Sequence, residues 1–211
     1  MDWPDLCHAL ALDIPAEAVD LLERLADELQ RWNRHRNLTA IRQRDEVLEK
    51  HLLDSLTLLP HLRGAQRLLD LGSGAGFPAL PLKIVRPALE IVAIDAAGKK
   101  IDFQRHIVRQ FALQGFTACQ ARIEDLATDS AFCGGFDVIT ARALTALKRL
   151  VPLARPFAAP GGRLLAMKGP DVAQEIAACE TAHSELSTDL VVHRLTLPLS
   201  GAERCLVEVQ F

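Results

Sequence analysis

Between residues 16 and 33 the apolar side chains Val19, Leu22, Leu25, Ala26, Leu29 and Trp32 return at three- and four-residue intervals, with charged residues between them. That spacing puts them on one face and predicts an amphipathic helix, entered through Pro15 and Ala16 with acids in its first turns. Leu48, Leu52, Leu56 and Leu59 repeat the pattern and predict a second helix, stopped near Pro60. The arginine-rich run between the two stripes, RWNRHRNLTAIRQR, reads as a loop. From Arg67 the rhythm changes. The apolar runs RLLDL, EIVAID, TACQA, FDVITA and RLLAMK alternate with helical segments near 77–86, 99–114, 144–157 and 172–184. Near-continuous apolar strands separated by helices predict a parallel sheet covered on both faces, joined by right-handed crossovers. The tail departs from that pattern. DLVVHRLTLPL, SGAER and CLVEVQF read as strand, glycine-containing turn and strand, so the last strand should run antiparallel to its neighbour. The expected organisation is α/β: a helical extension over residues 1–64 and, over 65–211, a domain built on one seven-stranded, mostly parallel sheet.

Composition narrows the classes. The 211 residues, 49% of them apolar and 24% charged, are enough for one substantial soluble domain with an appendage. No apolar run approaches the ~20 residues that cross a bilayer. The first ten residues, MDWPDLCHAL, carry two acids and lack the basic start of a secretory signal, so a cytoplasmic protein is expected. Cys7, Cys119, Cys133, Cys179 and Cys205 are scattered and never form a C-x-x-C pair. They indicate reduced thiols, with neither a zinc site nor a disulfide framework, and no metal is expected. A net charge of −3 does not suit a protein that coats nucleic acid through bulk charge. A nucleic-acid role would have to rest on a local patch, and Arg31, Arg34, Arg36, Arg42 and Arg44 form the candidate; the alternative is a solvated helix end.

The chemistry centres on residues 67–81, RLLDLGSGAGFPALP, where an apolar strand ends in Asp70 and three glycines follow at alternate positions. Glycine lets a backbone turn sharply and lets a ligand approach it, at a cost in stability. A phosphate-gripping P-loop needs G-x-x-x-x-G-K-[ST], and Ala93 stands where its first glycine would have to be. A dinucleotide fingerprint, G-x-G-x-x-[GA], is met by Gly74, Gly76 and Ala79 with Asp95 about 20 residues on. Its register is off, however, because Gly72 comes first, and only the helical front is left to serve as a substrate domain. A phosphate-free nucleoside, S-adenosylmethionine, suits the third reading. Bare main chain at Gly72 and Gly74 would face it, Asp70 would lie near its methionine end, and Asp95 would accept both ribose hydroxyl hydrogens. Ile123 and Glu124, after the third strand, would flank the adenine. All of these lie at the carboxyl ends of strands, where open α/β sheets bind ligands. The alternative for Asp70 and Asp95 is capping of helices or turns.

Further segments carry a resemblance. Trp32-Asn33 with Asn37-Leu38-Thr39, HLLDSL at 51–56, DLGSGAGFP at 70–78, Asp95 followed by Lys99-Lys100, FDVITARAL at 136–144 and Lys168-Gly169 make the chain resemble the class I S-adenosylmethionine methyltransferases. Within them it resembles the bacterial 16S ribosomal RNA guanine-N7 methyltransferases, also called the glucose-inhibited division protein B family. The resemblance spans most of the chain. It implies a Rossmann-like fold with an antiparallel last strand and cofactor contacts at Gly72, Phe77, Ile123, Glu124 and Arg142, with Asp95 as ribose ligand. The partner it implies is 16S ribosomal RNA or the small ribosomal subunit, met by Arg34, Arg36, Lys99, Lys100 and Lys168, and a monomer is expected. Ala79 and Ala96 replace residues common in the family, Gly and a hydroxyl residue. Guanine N7 carries an in-plane lone pair and no proton, so no general base is expected, and Arg142 and Lys168 are candidates for positioning. Arg142 would hold a phosphate or the guanine O6 edge, or else pair with Glu124. Lys168 would face RNA phosphates, or else be a solvated strand end. Trp32 is read as a core anchor, and His35 and His51 as surface or core residues. The alternatives are a methyltransferase acting on another RNA, a protein or a small molecule, and a non-catalytic nucleotide-binding module.

Overall fold

The computed structural model describes residues 3–183 and 190–211. Helices α1 (Trp3–Ala9) and α2 (Ala16–Arg36) come first. One continuous helix follows, made of α3 (Arg44–Val47), a π-helical stretch (Leu48–Leu53) and α4 (Asp54–Leu56). The α/β portion runs β1 (Arg67–Leu71), α5 (Ala79–Val85), β2 (Glu90–Asp95), α6 (Gly98–Gln110), β3 (Phe116–Gln120), α7 (Ile123–Leu126) and β4 (Phe136–Arg142). It continues with α8 (Leu147–Ala154), β5 (Ala158–Lys168), α9 (Ala173–Ala182), β6 (Leu190–Thr196) and β7 (Glu203–Gln210).

The seven strands form one sheet in the order β3-β2-β1-β4-β5-β7-β6. β1 to β5 are parallel. β7 lies antiparallel between β5 and β6, as the hairpin reading required. The strand order reverses between β1 and β4, and such a switch point opens a crevice at the strands' carboxyl ends.

Side chains alternate across the sheet. Leu69, Leu71, Ile139 and Leu164 face one way and bury against Leu147, Leu150 and Val151 of α8. Leu68, Ile91, Val138 and Leu165 face the other way and share a core with Leu22, Leu25 and Leu29 of α2 and with Leu52, Leu53 and Leu56. The helical front is therefore seated on a sheet face.

Several boundaries differ from the sequence expectation. α2 continues to Arg36, so Arg31, Arg34 and Arg36 are helical and only residues 37–43 form the loop. The helix stops where Asn37 takes the left-handed conformation, φ 46°, and returns its N–H to the Asn33 carbonyl, a common helix ending. α1 and α7 were not expected, being too short to show a period. The helix expected to reach 184 ends at Ala182, and residue 184, like Asp189 at the start of the expected tail strand, lies outside the described residues. Trp32 packs its edge against Phe103, with centroids 5.5 Å apart, as a core anchor would.

Candidate functional site

After β1 the chain doubles back through the glycine run. Gly72 has φ +68°, and a Cβ there would stand 2.7 Å from Leu144 Cδ1. Gly76 has φ +91°, and a Cβ would meet Leu80 Cδ1 at 2.5 Å. Both positions thus combine a left-handed backbone with no room for a side chain. Asp70 is sealed beneath this loop and fully buried. It therefore does not reach the ligand crevice, contrary to its expected place at the methionine end. Burial lifts its pKa to about 7; Arg142 and the main chain of Ala79 pull it down, and Asp95 pushes it up.

A cavity of about 450 Å³ opens beside the loop, lined by Gly72, Asp95, Ala96, Ile123, Glu124 and Leu144 among others. Its size is that of a small-molecule site. Asp95 at the end of β2 receives Gly74 N–H on Oδ2 at 2.9 Å and Ala97 N–H on Oδ1 at 2.8 Å. The turn-capping role is therefore real. A carboxylate has about four acceptor positions, so each oxygen keeps capacity for one further hydrogen, which fits a vicinal diol. Lys100 Nζ lies 3.6 Å from the same carboxylate. Gly74 spends its N–H on Asp95 and is absent from the cavity wall. Phe77 is also absent from it: its ring is buried, stacked on His51 with centroids 4.7 Å apart.

Leu144 and Thr145 belong at once to this cavity and to a second one, of about 600 Å³, which includes Lys50, His51, Asp54, Arg142, Lys168 and Arg204 in its wall. Arg142 lies in the wall of this second cavity, beside the wall it shares with the first. Its partner is not Glu124. Arg142 donates to the Lys50 carbonyl at 2.8 Å and to His51 Nδ1 at 3.1 Å, and its guanidinium lies 3.5 Å from Asp54 Oδ2. Burial lowers the Arg142 pKa, while Asp54 and Asp70 raise it. Because His51 Nδ1 accepts, its Nε2–H donates to Thr39 Oγ1 at 3.0 Å. Burial and the neighbouring Arg142 charge hold the His51 pKa to about 3, so the ring is neutral. Asn33 completes the chain of contacts, accepting from the Leu38 and Thr39 N–H groups and donating to the Thr39 and Ile41 carbonyls.

Lys168 is neither a solvated strand end nor a free cation. It donates to the Thr145 carbonyl and to Glu175 Oε2, both at 2.7 Å. Glu175 also accepts the Leu147 N–H, and these bonds lower its pKa against the rise that burial causes. Lys168 thus tethers the loop between β4 and α8, which carries the shared wall of the two cavities.

Within the arginine run, Arg31 pairs with Glu28 at 2.6 Å, and Arg44 pairs with Glu23 and Asp27. Arg34 and Arg36 are exposed, and no ion pair engages them among the described residues. Arg42 reaches the Asn37 side chain and Lys99 the Asn37 carbonyl, each within about 3 Å, so these cations gather round the 37–43 loop. Ile41 of that loop lines the second cavity.

Sequence reasoning missed Arg122 and Arg149, exposed on the wall of the first cavity, and Asp54, Glu175 and Arg204 in the second. His51 and Asp54 carried a visible signal. They are polar residues three apart inside a leucine stripe, and a burying face takes such groups only when they are paired. Among the described residues one set, His61, His193 and Glu208, brings three metal-capable atoms within 4.8 Å, but Arg163 stands 3.5 Å from the Glu208 carboxylate and neutralises it.

Comparison with known proteins places this geometry. The model of a family described as rRNA small subunit methyltransferase G matches residues 18–200. A protein of Syntrophotalea carbinolica named ribosomal RNA small subunit methyltransferase G is 48% identical, over 96% of this chain and 94% of its own. One of the same name from Geobacter sp. strain M21 is 43% identical, over 95% and 92%. The crystal structure of a SAM dependent methyltransferase from Aquifex aeolicus superposes with a TM-score of 0.56 at 17% identity, covering 78% of this chain and 92% of that one.

Proposed function

The chain belongs to the rRNA small subunit methyltransferase G family, and from that premise we propose that it transfers a methyl group from S-adenosylmethionine to N7 of a guanine in 16S ribosomal RNA. The observation that carries this reading is the pair of cavities meeting at Leu144 and Thr145 across the strand ends. One wall has bare main chain and carboxylates, as a phosphate-free nucleoside needs; the other carries Lys50, Asp54, Arg142, Lys168 and Arg204 and adjoins the loop round which Arg42 and Lys99 gather.

Bound S-adenosylmethionine supplies an electrophilic methyl group on a sulfonium. Asp95 holds the ribose diol with the acceptor positions that Gly74 and Ala97 leave free. Ile123 gives the adenine an apolar surface and Glu124 a polar edge. Gly72 keeps the floor of the cavity thin enough for Leu144 to close over it. A guanine N7 brings its own lone pair, so the protein has to hold nucleophile and methyl group close and in line, an effect worth up to about 7–11 kcal/mol. No proton has to be removed. His51, neutral with both nitrogens engaged, serves as a fixed wall, and Arg142 fixes that wall to β4. Exposed Arg34 and Arg36, with Arg42 and Lys99, lead RNA phosphates toward the second cavity.

In this reading residues 1–64 are an extension that completes the substrate wall and 65–211 hold the cofactor, in a monomeric cytoplasmic enzyme. No helix among the described residues is long and apolar enough to cross a membrane. The test is to incubate the protein with radiolabelled S-adenosylmethionine and ribosomal RNA from cells lacking it, then map the label. One guanine methylated at N7 is expected; labelling of no RNA overturns the reading.

A further inference from the structure

A third cavity, of about 180 Å³, lies between α2 and the 37–43 loop and includes Leu29, Arg34, Arg42 and Val47 in its wall. It is smaller than the sites that hold whole small molecules, and it has room for one planar base. Ile41 belongs to its wall and also to that of the second cavity. One half-buried apolar side chain thus stands between the two hollows.

The main chain beneath that side chain is fixed on both sides. Ile41 N–H donates to Thr39 Oγ1 at 3.2 Å, and the Ile41 carbonyl accepts from Asn33 Nδ2 at 3.3 Å. Gln30 Nε2 donates to the next carbonyl, that of Arg42, at 3.2 Å. A single half-exposed apolar residue needs no explanation. One anchored in this way between two hollows has the form of a wedge. Apolar side chains, isoleucine among them, enter between neighbouring bases and unstack them in proteins that deform nucleic acid. The third cavity has what an unstacked base needs. Leu29 and Val47 give it an apolar surface, and Arg34 and Arg42 are exposed at its wall. Neither arginine is in an ion pair among the described residues. Their planar guanidiniums are groups on which single-stranded bases stack.

We propose that Ile41 is a wedge between two successive nucleotides of the RNA. The methyl-accepting guanine enters the second cavity, and the base next to it is unstacked and lodged in the third, against Arg34 and Arg42. Stacking on a guanidinium engages the face of a base and not its edge, so the neighbouring position accepts any base. This assignment rests on the methyltransferase reading and adds to it a second base subsite.

Two fragments of the ribosomal RNA test it. They carry 2-aminopurine, whose fluorescence rises when it leaves a base stack, on the 5′ or the 3′ side of the mapped guanine. Each is bound to the wild type with S-adenosylhomocysteine present, which fills the cofactor site without reacting, and saturation is followed by anisotropy. The fluorescence of one fragment should rise severalfold. Ile41→Leu should keep that rise, and Ile41→Ala should lose most of it at saturation. An abasic residue at the same position should weaken wild-type binding at least about fivefold, whereas exchange among the four bases there should change it less than about twofold. No rise from either fragment on saturated wild type, or a rise that Ile41→Ala keeps in full, overturns the wedge. An abasic residue tolerated on both sides of the guanine overturns the subsite. If the wild type methylates no guanine in the unmodified ribosomal RNA, the methyltransferase reading falls and the proposal falls with it.

Discussion

Replacing Asp70 by asparagine should tilt the pH profile of stability upward relative to wild type between about pH 4 and 6.5. Folding lifts the Asp70 pKa from 3.8 to about 7, chiefly by burial. The native protein then keeps a proton that the unfolded chain releases, so this group's effect on stability worsens as pH rises through that window. At one pKa unit per 1.36 kcal/mol, the penalty reaches about 4 kcal/mol above pH 7. His51 runs the other way. Burial and the nearby Arg142 charge hold it from 6.5 down to about 3, so the unfolded chain takes a proton that the native protein refuses. Stability is lost as pH falls below about 6.5. Between about pH 4 and 6.5 each group contributes a slope near 1.4 kcal/mol per pH unit, of opposite sign. In the wild type these two contributions offset each other.

Asp70→Asn removes one slope and leaves the other. Its stability should rise by about 3 kcal/mol from pH 4 to 6.5 relative to wild type, and His51→Gln should fall by a similar amount over the same range. The buried amide that replaces Asp70 costs about 1–3 kcal/mol at every pH, which shifts the line without tilting it. Urea unfolding at about pH 4, 5 and 6.5, with the m-value held constant, reads the slopes directly. Other titrating groups are common to all three proteins and drop out of the comparison. Parallel profiles for Asp70→Asn and wild type would refute the argument, because the carboxyl would then titrate alike in both states.

Three further outcomes follow from the site. Asp95→Ala removes the acceptor for Gly74 N–H and Ala97 N–H as well as for a ribose diol, and calorimetry should show S-adenosylmethionine binding weakened by about tenfold or more. Gly72→Val places a branched side chain at φ +68° against Leu144, so it should abolish cofactor binding, with partial recovery when Leu144→Ala is added; an unaltered single variant would remove the floor assignment. Arg34→Glu with Arg36→Glu should weaken RNA binding and reduce the magnitude of the slope of log affinity against log salt by about two, with cofactor affinity unchanged; an unchanged slope would make the pair a solvated face.

Local patterns made the sheet legible, and partners distant in sequence kept much of the site out of view. RLLDL and FDVITA announce buried parallel strands by composition, and both form within a residue of where periodicity puts them. The end of α2 was harder because Arg34 and Arg36 carry no apolar period; the stop depends on Asn37 adopting a left-handed conformation. That Asp95 and Ile123-Glu124 would meet at one cavity was legible because strand ends converge on a crevice in this architecture. The partners of Arg142 stayed out of view for a different reason. Its pairing with Asp54 spans 88 positions, and nothing near either residue signals the other. The pairing of Lys168 with Glu175 spans only seven, yet it crosses from a strand to the following helix, where no fixed spacing rule applies.

That distant pairing bears on the helical front. Buried Asp54 and Asp70 and half-buried Arg142 lie next to neutral His51, with the partly exposed Arg204 at the edge. The two guanidiniums and the Asp54 carboxylate face one another, and burial raises the pKa of Asp54 and of Asp70 beside them. Taking charges out of water still costs several kcal/mol per ion, which pairing offsets only when every donor is met. The π-helical stretch takes two further Arg142 donors on the Lys50 carbonyl and His51 Nδ1, and Glu49 of the same stretch accepts the Leu199 and Ser200 N–H groups from the tail. Stripped of residues 1–64, the sheet would keep Arg142 and Asp70 while losing Asp54, His51 and the Lys50 carbonyl, and would expose the apolar face now covered by Leu22, Leu25 and Leu29. The extension is therefore part of what makes a half-buried arginine tolerable at the strand ends, and the second cavity exists only where the two segments meet.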